Sequence, residues 1–274
     1  MTEPNIFNQL LLWPILNVLI AFYKGFTFLG IPGSFGLAII AATALIRLLL
    51  HPLTSSQLKS AKKMNSLKPH MDKLNQLYKN DKQRLQAEQL KLYKEMGINP
   101  AAGCLPLLLQ FPILIALYNV FFQVLGQGNI DKVVADINKI IYSPLLRINS
   151  LDLSFFGLNL ASRPSDWQKI GWWLLLIPVV TALLQFWQTK LMSPANVPTK
   201  NQDLIRQLAD KNEKDGKKDE DMSSMMQKQM SIMMPLMIGF FAYSFPVGLA
   251  LYWNTFTVFG IIQQVKVNKS HDKK

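Results

Sequence analysis

The sequence predicts an all-α, polytopic membrane protein with five transmembrane helices. Half of its 274 residues are hydrophobic and only 17% are charged. The apolar residues gather in long runs instead of recurring at amphipathic spacing, which is typical of membrane spans. The basic residues behind the net charge of +12 fall between these runs, so they bear on the orientation of the chain and on anionic partners.

Residues 1–33 are predicted to form an amphipathic helix that lies in the membrane interface. Gln9, Asn17 and Lys24 interrupt an otherwise apolar stretch at steps of eight and seven, which places them along one helix face. A narrow polar stripe of this kind is typical of interfacial helices. The stretch 7–29 is also long enough to cross a bilayer, so a further transmembrane helix is the alternative.

The core that follows, residues 34–266, contains the five predicted spans. They cover about 36–55, 103–125, 170–190, 229–245 and 248–265. Residues 126–168 are mixed in character and are predicted to form a loop. A basic tail, 267–274, closes the chain.

The segment 56–97, between the first two spans, is predicted to be a helical hairpin outside the membrane. Its apolar residues keep steps of three or four from Leu58 to Tyr78, which is helical periodicity. The stretch 79–82 is predicted to form the turn, and Pro69 is predicted to kink the first arm.

Charge sets the predicted orientation. Lysine and arginine are dense in the hairpin, in the charged linker 193–224 and in the tail, and sparser in the 126–168 loop. By the positive-inside rule, the hairpin, the linker and the C-terminus are cytoplasmic, whereas the loop and the N-terminus are outside. If residues 7–29 also cross the membrane, only the N-terminus changes side.

Arg47 is the first candidate functional residue, because it places a full positive charge inside the first predicted span. An arginine at such depth costs ~2.5–3.5 kcal/mol on insertion scales and usually marks a functional site. Snorkelling of its side chain to the interface is the alternative. Helical side chains lean toward the helix N-terminus, here the outer end, so the stem leads away from the nearer interface. Thr43 shares the same helix face one turn outward.

Polar residues in the other predicted spans are candidates to face the same place. They are Gln110, Asn119, Gln123, Thr181, Gln185, Gln188, Asn254, Thr255 and Thr257. Each alone is more often a hydrogen-bonding contact between helices. None of the five predicted spans contains an acidic residue. We therefore expect the counter-ion of Arg47 to come from a passing ligand or from water.

Cysteine usage and motifs exclude several classes of function. Cys104 is the single cysteine and the three histidines lie far apart, which excludes disulfide frameworks and the familiar zinc spacings. Phosphate-binding loops, dinucleotide fingerprints and hydrolase motifs do not occur in the sequence. The sequence therefore predicts a protein that is not an enzyme and needs no metal or cofactor.

Several motifs follow one another in order over roughly residues 34–266. They are Thr43–Arg47 with His51–Thr54, Leu58–Met64 with Leu67–Pro69, Asp81–Arg84, Leu92–Lys94 with Asn99–Pro100, Gly103–Pro112 with Ala116–Tyr118, Met192–Pro194, and Phe245–Trp253 with Ile261–Gln264. As a set they resemble the YidC/Oxa/Alb family of membrane protein insertases, in a short bacterial form.

This resemblance implies a five-helix core around a hydrophilic groove that opens to the cytoplasm and to lipid. The groove residues that it implies are Arg47, Thr43, an aromatic residue at Tyr252 or Trp253, and a glutamine at Gln185 or Gln188. Gln110 joins them as a polar residue of the second span.

The function implied by the resemblance is that of a membrane protein insertase and chaperone that works without nucleotide hydrolysis. Its expected location is the bacterial cell membrane. Its expected partners are nascent membrane proteins, the ribosome, the Sec translocon, the signal-recognition-particle receptor and membrane lipids. A small ion channel or transporter that uses the intramembrane arginine as an anion site is the alternative.

Overall fold

The computed structural model describes residues 3–95, 97, 111–115, 117–119, 122, 130–192 and 222–271. This part of the chain is mostly helical, as the sequence predicts. Three stretches of it have the length and composition of membrane spans, if one bent pair of helices is taken as a single span. The full number of five spans stays a prediction.

The chain begins with two helices that fold back on each other. A π-helical turn, Asn8–Leu12, continues into α1 (Trp13–Phe28), and a short turn leads into α2 (Ser34–Leu49). The ring of Tyr23 meets that of Phe35 edge to face, with centroids 5.6 Å apart. The continuous helix from residue 8 to residue 28 is long and apolar enough to cross a membrane, as the alternative interpretation of this region requires.

The first predicted span, 36–55, is bent rather than straight. The helix α3 (His51–Ser66) leaves α2 at 65°. Pro52 stands in the first turn of α3, has no backbone N–H, and its ring conflicts with a helical carbonyl four residues earlier. The bend therefore falls just before the proline, two to three residues after Arg47.

Two helices follow in the segment predicted as a hairpin. They are α4 (Lys68–Leu77), with Pro69 in its first turn, and α5 (Lys82–Glu95). They contact each other, and Gln89 Nε2 donates to Asn75 Oδ1 at 3.1 Å. The helix is interrupted between α3 and α4 because a proline such as Pro69 is tolerated in the first turn of a helix but not in its interior. The position of this pair relative to the membrane stays a prediction.

The region predicted as a loop, 126–168, contains short regular elements where the structure describes it. These are α6 (Ile130–Ile140), a 3₁₀ turn (Pro144–Leu146), β1 (Ser154–Phe155), β2 (Leu158–Asn159), a second 3₁₀ turn (Pro164–Asp166) and α7 (Trp167–Ile170). The two strands pair antiparallel, with Phe155 opposite Leu158. One face of α6 is buried against the rest of the core.

The polar stripe of the first helix holds this region in place. Asn17 is buried: its Nδ2 donates to the carbonyl of Ile140 at 3.0 Å, and its Oδ1 accepts from the backbone N–H of Tyr142 at 2.8 Å. Lys24 Nζ donates to the carbonyls of Leu145 and Arg147. Two of the three stripe residues thus contact protein backbone. The prediction that this helix lies in the membrane interface stays a prediction.

Three longer helices complete the described chain. A 3₁₀ turn (Trp172–Leu175) leads into α8 (Leu176–Met192), and α9 (Met222–Ser244) turns sharply into α10 (Val247–His271). The stretch 172–191 is long and apolar enough to cross a membrane, and 232–244 forms a shorter apolar helix. The helix α10 packs against both α2 and α8, and α9 packs against α8. This arrangement places α10 at the centre of the helices that carry the predicted site.

Candidate functional site around Arg47

Arg47 lies in the last turn of α2, and its side chain is only 6% exposed. The guanidinium thus lies between helices, and the Arg47 side chain does not extend to the protein surface. A cation near a helix C-terminus interacts favourably with the helix dipole, although a buried charge still needs direct partners. Snorkelling therefore does not describe this arginine in the structure.

The direct partners of Arg47 come from α10. Its Nη2 donates to the carbonyl oxygen of Phe256 at 2.7 Å, and its Nη1 donates to Gln263 Oε1 at 3.2 Å. The guanidinium carbon lies 3.4 Å from the centroid of the Phe256 ring, within the range of a cation–π interaction. Among the residues that the structure describes, the buried Nε has no hydrogen-bond partner.

All of these contacts are with groups that carry no formal charge. Within the described residues, Arg47 forms no ion pair with a carboxylate, and the ion pair Lys139–Asp136 belongs to α6. The charge of the guanidinium is thus solvated by a main-chain dipole, a carboxamide and an aromatic face. Such a set can be exchanged for an anionic group without first breaking a salt bridge.

Gln188 of α8 reaches the same place. A Cβ at position 260 would lie 2.3 Å from Gln188 Nε2 and 3.0 Å from Arg47 Nη2, so both side chains occupy the space that Gly260 leaves on α10. This geometry brings the two residues together on one short stretch of α10. Of the two candidate glutamines of the third span, Gln188 is therefore the one beside the arginine.

Gln185 contacts the other candidate aromatic residue. Trp253 Nε1 donates to Gln185 Oε1 at 3.3 Å, and both side chains are partly buried. The pairs Gln185–Trp253 and Gln188–Gly260 follow each other along the parallel contact of α8 with α10. The α8 and α10 residues of the predicted site thus form one continuous line.

Thr43 and Tyr252 lie on the apolar side of the site. Thr43 Oγ1 donates to the carbonyl of Ile39 at 2.6 Å, within its own helix. Both residues line a cavity of about 10 Å³, at the lower limit for holding a single water, whose other walls are apolar side chains of α1, α2 and the second predicted span. Thr43 is therefore beside Arg47 in sequence register, but its hydroxyl extends no polar surface in this structure.

Some predicted site residues are outside the described part, and some site residues were not predicted. Gln110 and Gln123 lie outside the described residues. Phe256 and Gly260 contact the Arg47 site but were not singled out from sequence, and Gln263, which also contacts Arg47, was identified only as part of a family motif. Their spacing of four and three residues puts them on one helix face, which is the signal that joins them.

The sequence model of the family described as 60Kd inner membrane protein matches residues 27–274. The proteins named membrane protein insertase YidC of Rickettsia typhi and Rickettsia prowazekii are each 33% identical to this chain over 252 residues, which is 90% of this chain and 38% of each relative. That of Rickettsia felis is 32% identical over 252 residues. The chain thus spans 38% of the length of these relatives.

Proposed function

The chain belongs to the 60Kd inner membrane protein family, and from this membership we propose that it is a membrane protein insertase of the bacterial cell membrane. The observation that carries the proposal is the match of the family over residues 27–274, which includes the buried Arg47 and its partners. The match also confirms the family resemblance of the motifs. It does not favour a channel or transporter.

The proposed architecture has five spans around a hydrophilic groove. The groove is lined by Arg47, Gln110, Gln185, Gln188 and Trp253, with Thr43 and Tyr252 on its apolar side. Support comes from the meeting of α2, α8 and α10 at the arginine. The C-terminus is cytoplasmic and the N-terminus outside, as the distribution of lysine and arginine indicates.

In the proposed mechanism, Arg47 receives the short polar flank of a segment that is being inserted. A carboxylate of the flank replaces the carbonyl of Phe256 and the carboxamide of Gln263 as acceptor, because its negative charge adds a Coulomb attraction to the guanidinium that neither neutral acceptor supplies. The apolar part of the segment meanwhile enters lipid. Polar groups along the α8–α10 line lower the desolvation cost of the flank.

No nucleotide is needed in this scheme. Apolar burial in lipid drives the segment, and the membrane potential adds roughly 2.3 kcal/mol per elementary charge for each 100 mV. The protein makes and breaks no covalent bond, so it acts as a chaperone for insertion and not as an enzyme.

The proposed partners follow from charge and from the substrate. Nascent membrane proteins are the substrates, and the basic helices α3 to α5 provide a surface for ribosomal RNA or anionic lipid. The Sec translocon and the signal-recognition-particle receptor are proposed as further partners through the resemblance alone.

The test compares Arg47→Ala and Arg47→Lys with the exposed control Arg147→Ala in proteoliposomes. Insertion of a segment with an acidic flank is expected to fall about tenfold or more in Arg47→Ala, because a hydrogen-bonded charge contact is worth ~1.5–3 kcal/mol. Lysine should restore part of it, and Arg147→Ala should match the unmodified protein. Full activity of Arg47→Ala would refute the role of the charge, and solute flux without insertion would refute the insertase itself.

A further inference from the structure

Gly260 stands where α10 meets Arg47 and Gln188. In an α-helix, the side chain of residue i lies beside the carbonyl of residue i−4, because Cα–Cβ bonds tilt toward the helix N-terminus. The carbonyl four residues before Gly260 is that of Phe256, the acceptor of the 2.7 Å hydrogen bond from Arg47 Nη2. The missing side chain thus leaves this carbonyl open to a second donor.

The space is already filled by polar atoms. A Cβ at position 260 would come within 2.3 Å of Gln188 Nε2 and 3.0 Å of Arg47 Nη2. Non-bonded carbon and nitrogen atoms do not approach to 2.3 Å, so even alanine displaces Gln188, and the guanidinium must also move or tolerate a very tight contact. The gap that Gly260 leaves on α10, called here the Gly260 notch, therefore fits these two side chains closely.

A second helical glycine shows that the notch is not simply a means of close helix packing. A Cβ on Gly239 of α9 would meet the methyl group of Ala182 at 3.1 Å, which is an apolar contact between α9 and α8. The Gly260 notch instead receives the ends of two polar side chains. The difference indicates a role in holding polar groups.

We propose that Gly260 is a positioning residue for Arg47: the notch gives the guanidinium a main-chain acceptor on α10 and holds it beside Gln188 until a substrate carboxylate arrives. This inference rests on the proposed function for the arrival of the substrate. The resting geometry itself rests only on the contacts of Gly260, Phe256 and Gln188 with Arg47.

A substitution at Gly260 changes the position of the Arg47 guanidinium and leaves its charge in place. With alanine at 260, the arginine remains present and charged, but the methyl group 3.0 Å from Nη2 disturbs its hydrogen bond to the carbonyl of Phe256. We expect insertion of a segment with an acidic flank to fall about tenfold, as for the loss of one hydrogen bond to a charged group. A matched segment with a neutral flank should be affected much less.

The experiment uses Gly260→Ala with Gly25→Ala as the matched control. Gly25 lies in α1, where an added Cβ meets no atom within 4 Å. Each full-length variant is placed in nanodiscs, and ¹H–¹⁵N spectra of labelled arginine report the Arg47 guanidinium, which is assigned by its loss in Arg47→Lys. The Phe256 ring beside the guanidinium is expected to shift this resonance upfield. Insertion is measured in parallel with acidic and neutral flanks.

The two readouts distinguish the failure of each claim. A resonance that moves toward the exposed arginines in Gly260→Ala, but not in Gly25→Ala, supports the notch. An unchanged resonance overturns it, whatever the insertion rates are. A moved resonance with unchanged insertion supports the notch and overturns the role of Arg47 in insertion. If Gly260→Ala fails to fold, adding Gln188→Ala removes the 2.3 Å contact and keeps the 3.0 Å contact to Arg47, and the same outcomes apply.

Discussion

At the scale of single residues, the site depends on how a buried guanidinium is solvated without a carboxylate. Each partner of Arg47 is modest: a cation–π contact is worth ~0.5–2 kcal/mol and a hydrogen bond to a charged group ~1.5–3 kcal/mol. The desolvation cost of a buried ion is several kcal/mol, so these contacts offset it without a large surplus. A weakly compensated charge of this kind favours exchange with an anion.

Asn17 is a second buried polar residue whose partners are uncharged backbone groups. It joins α1 to the start of the loop after α6 through a donor and an acceptor. We expect Asn17→Leu to lower the free energy of unfolding by ~1–3 kcal/mol, because the carbonyl of Ile140 loses its partner in a buried setting. The readout is the thermal unfolding midpoint in detergent.

The matched control for Asn17 is Gln9→Leu, an exposed member of the same polar stripe. It should leave the midpoint within the error of the unmodified protein. Equal losses in both variants would mean that the stripe acts through its contact with detergent or lipid, and that the loop contact contributes nothing.

At the scale of elements, the sequence predicts helices that have a periodic apolar pattern, and it misses features that depend on a single contact between distant parts of the chain. Apolar runs and helical periodicity place α2, α4, α5 and α8, and the charge inside α2 identifies Arg47 without any structure. The two-residue strands β1 and β2 are too short to show alternation, so the segment is predicted as a loop. The role of Gly260 cannot be predicted from the sequence, because it depends on the contacts of Arg47 and Gln188, which lie on two other helices.

The aromatic ring of Phe155 in β1 packs against α2. A Cβ at Gly36 would lie 2.2 Å from Phe155 Cδ2, so the ring rests on the bare backbone of the first turn of α2. We expect Gly36→Ala to destabilise the protein by ~1–3 kcal/mol through overpacking. The measurement is the unfolding midpoint in detergent, with Gly25→Ala as the control.

The partner variant makes this prediction specific to the docking contact. In a Phe155→Ala background the clash is absent, so adding Gly36→Ala should cost almost nothing, or stabilise slightly through the better helix propensity of alanine. If the cost of Gly36→Ala is the same in both backgrounds, the ring does not dock there.

At the scale of the whole molecule, the position of the first helix decides the topology. Two sets of contacts bear on it. The helix α1 runs back along α2, with Ile15 and Leu19 beside Ile39 and Ile46 around the small cavity, as an additional span would. Asn17 and Lys24 hold backbone carbonyls of the region that the charge pattern places outside. The contact of Lys24 keeps the C-terminal half of α1 at the outer face whether α1 crosses the membrane or lies on it. Only the side on which the N-terminus lies therefore distinguishes the two arrangements.

Cysteine labelling in a Cys104→Ser background tests this directly. With an external N-terminus, Glu3→Cys and Phe156→Cys both react with a membrane-impermeant maleimide in intact cells, because both positions are exposed, whereas Lys269→Cys reacts only after permeabilisation. If α1 crosses the membrane, Glu3→Cys instead behaves like Lys269→Cys while Phe156→Cys stays reactive. Protection of Phe156→Cys in intact cells would reverse the orientation of the whole chain. It would also place the basic helices α3 to α5 outside, against the charge rule on which the topology rests.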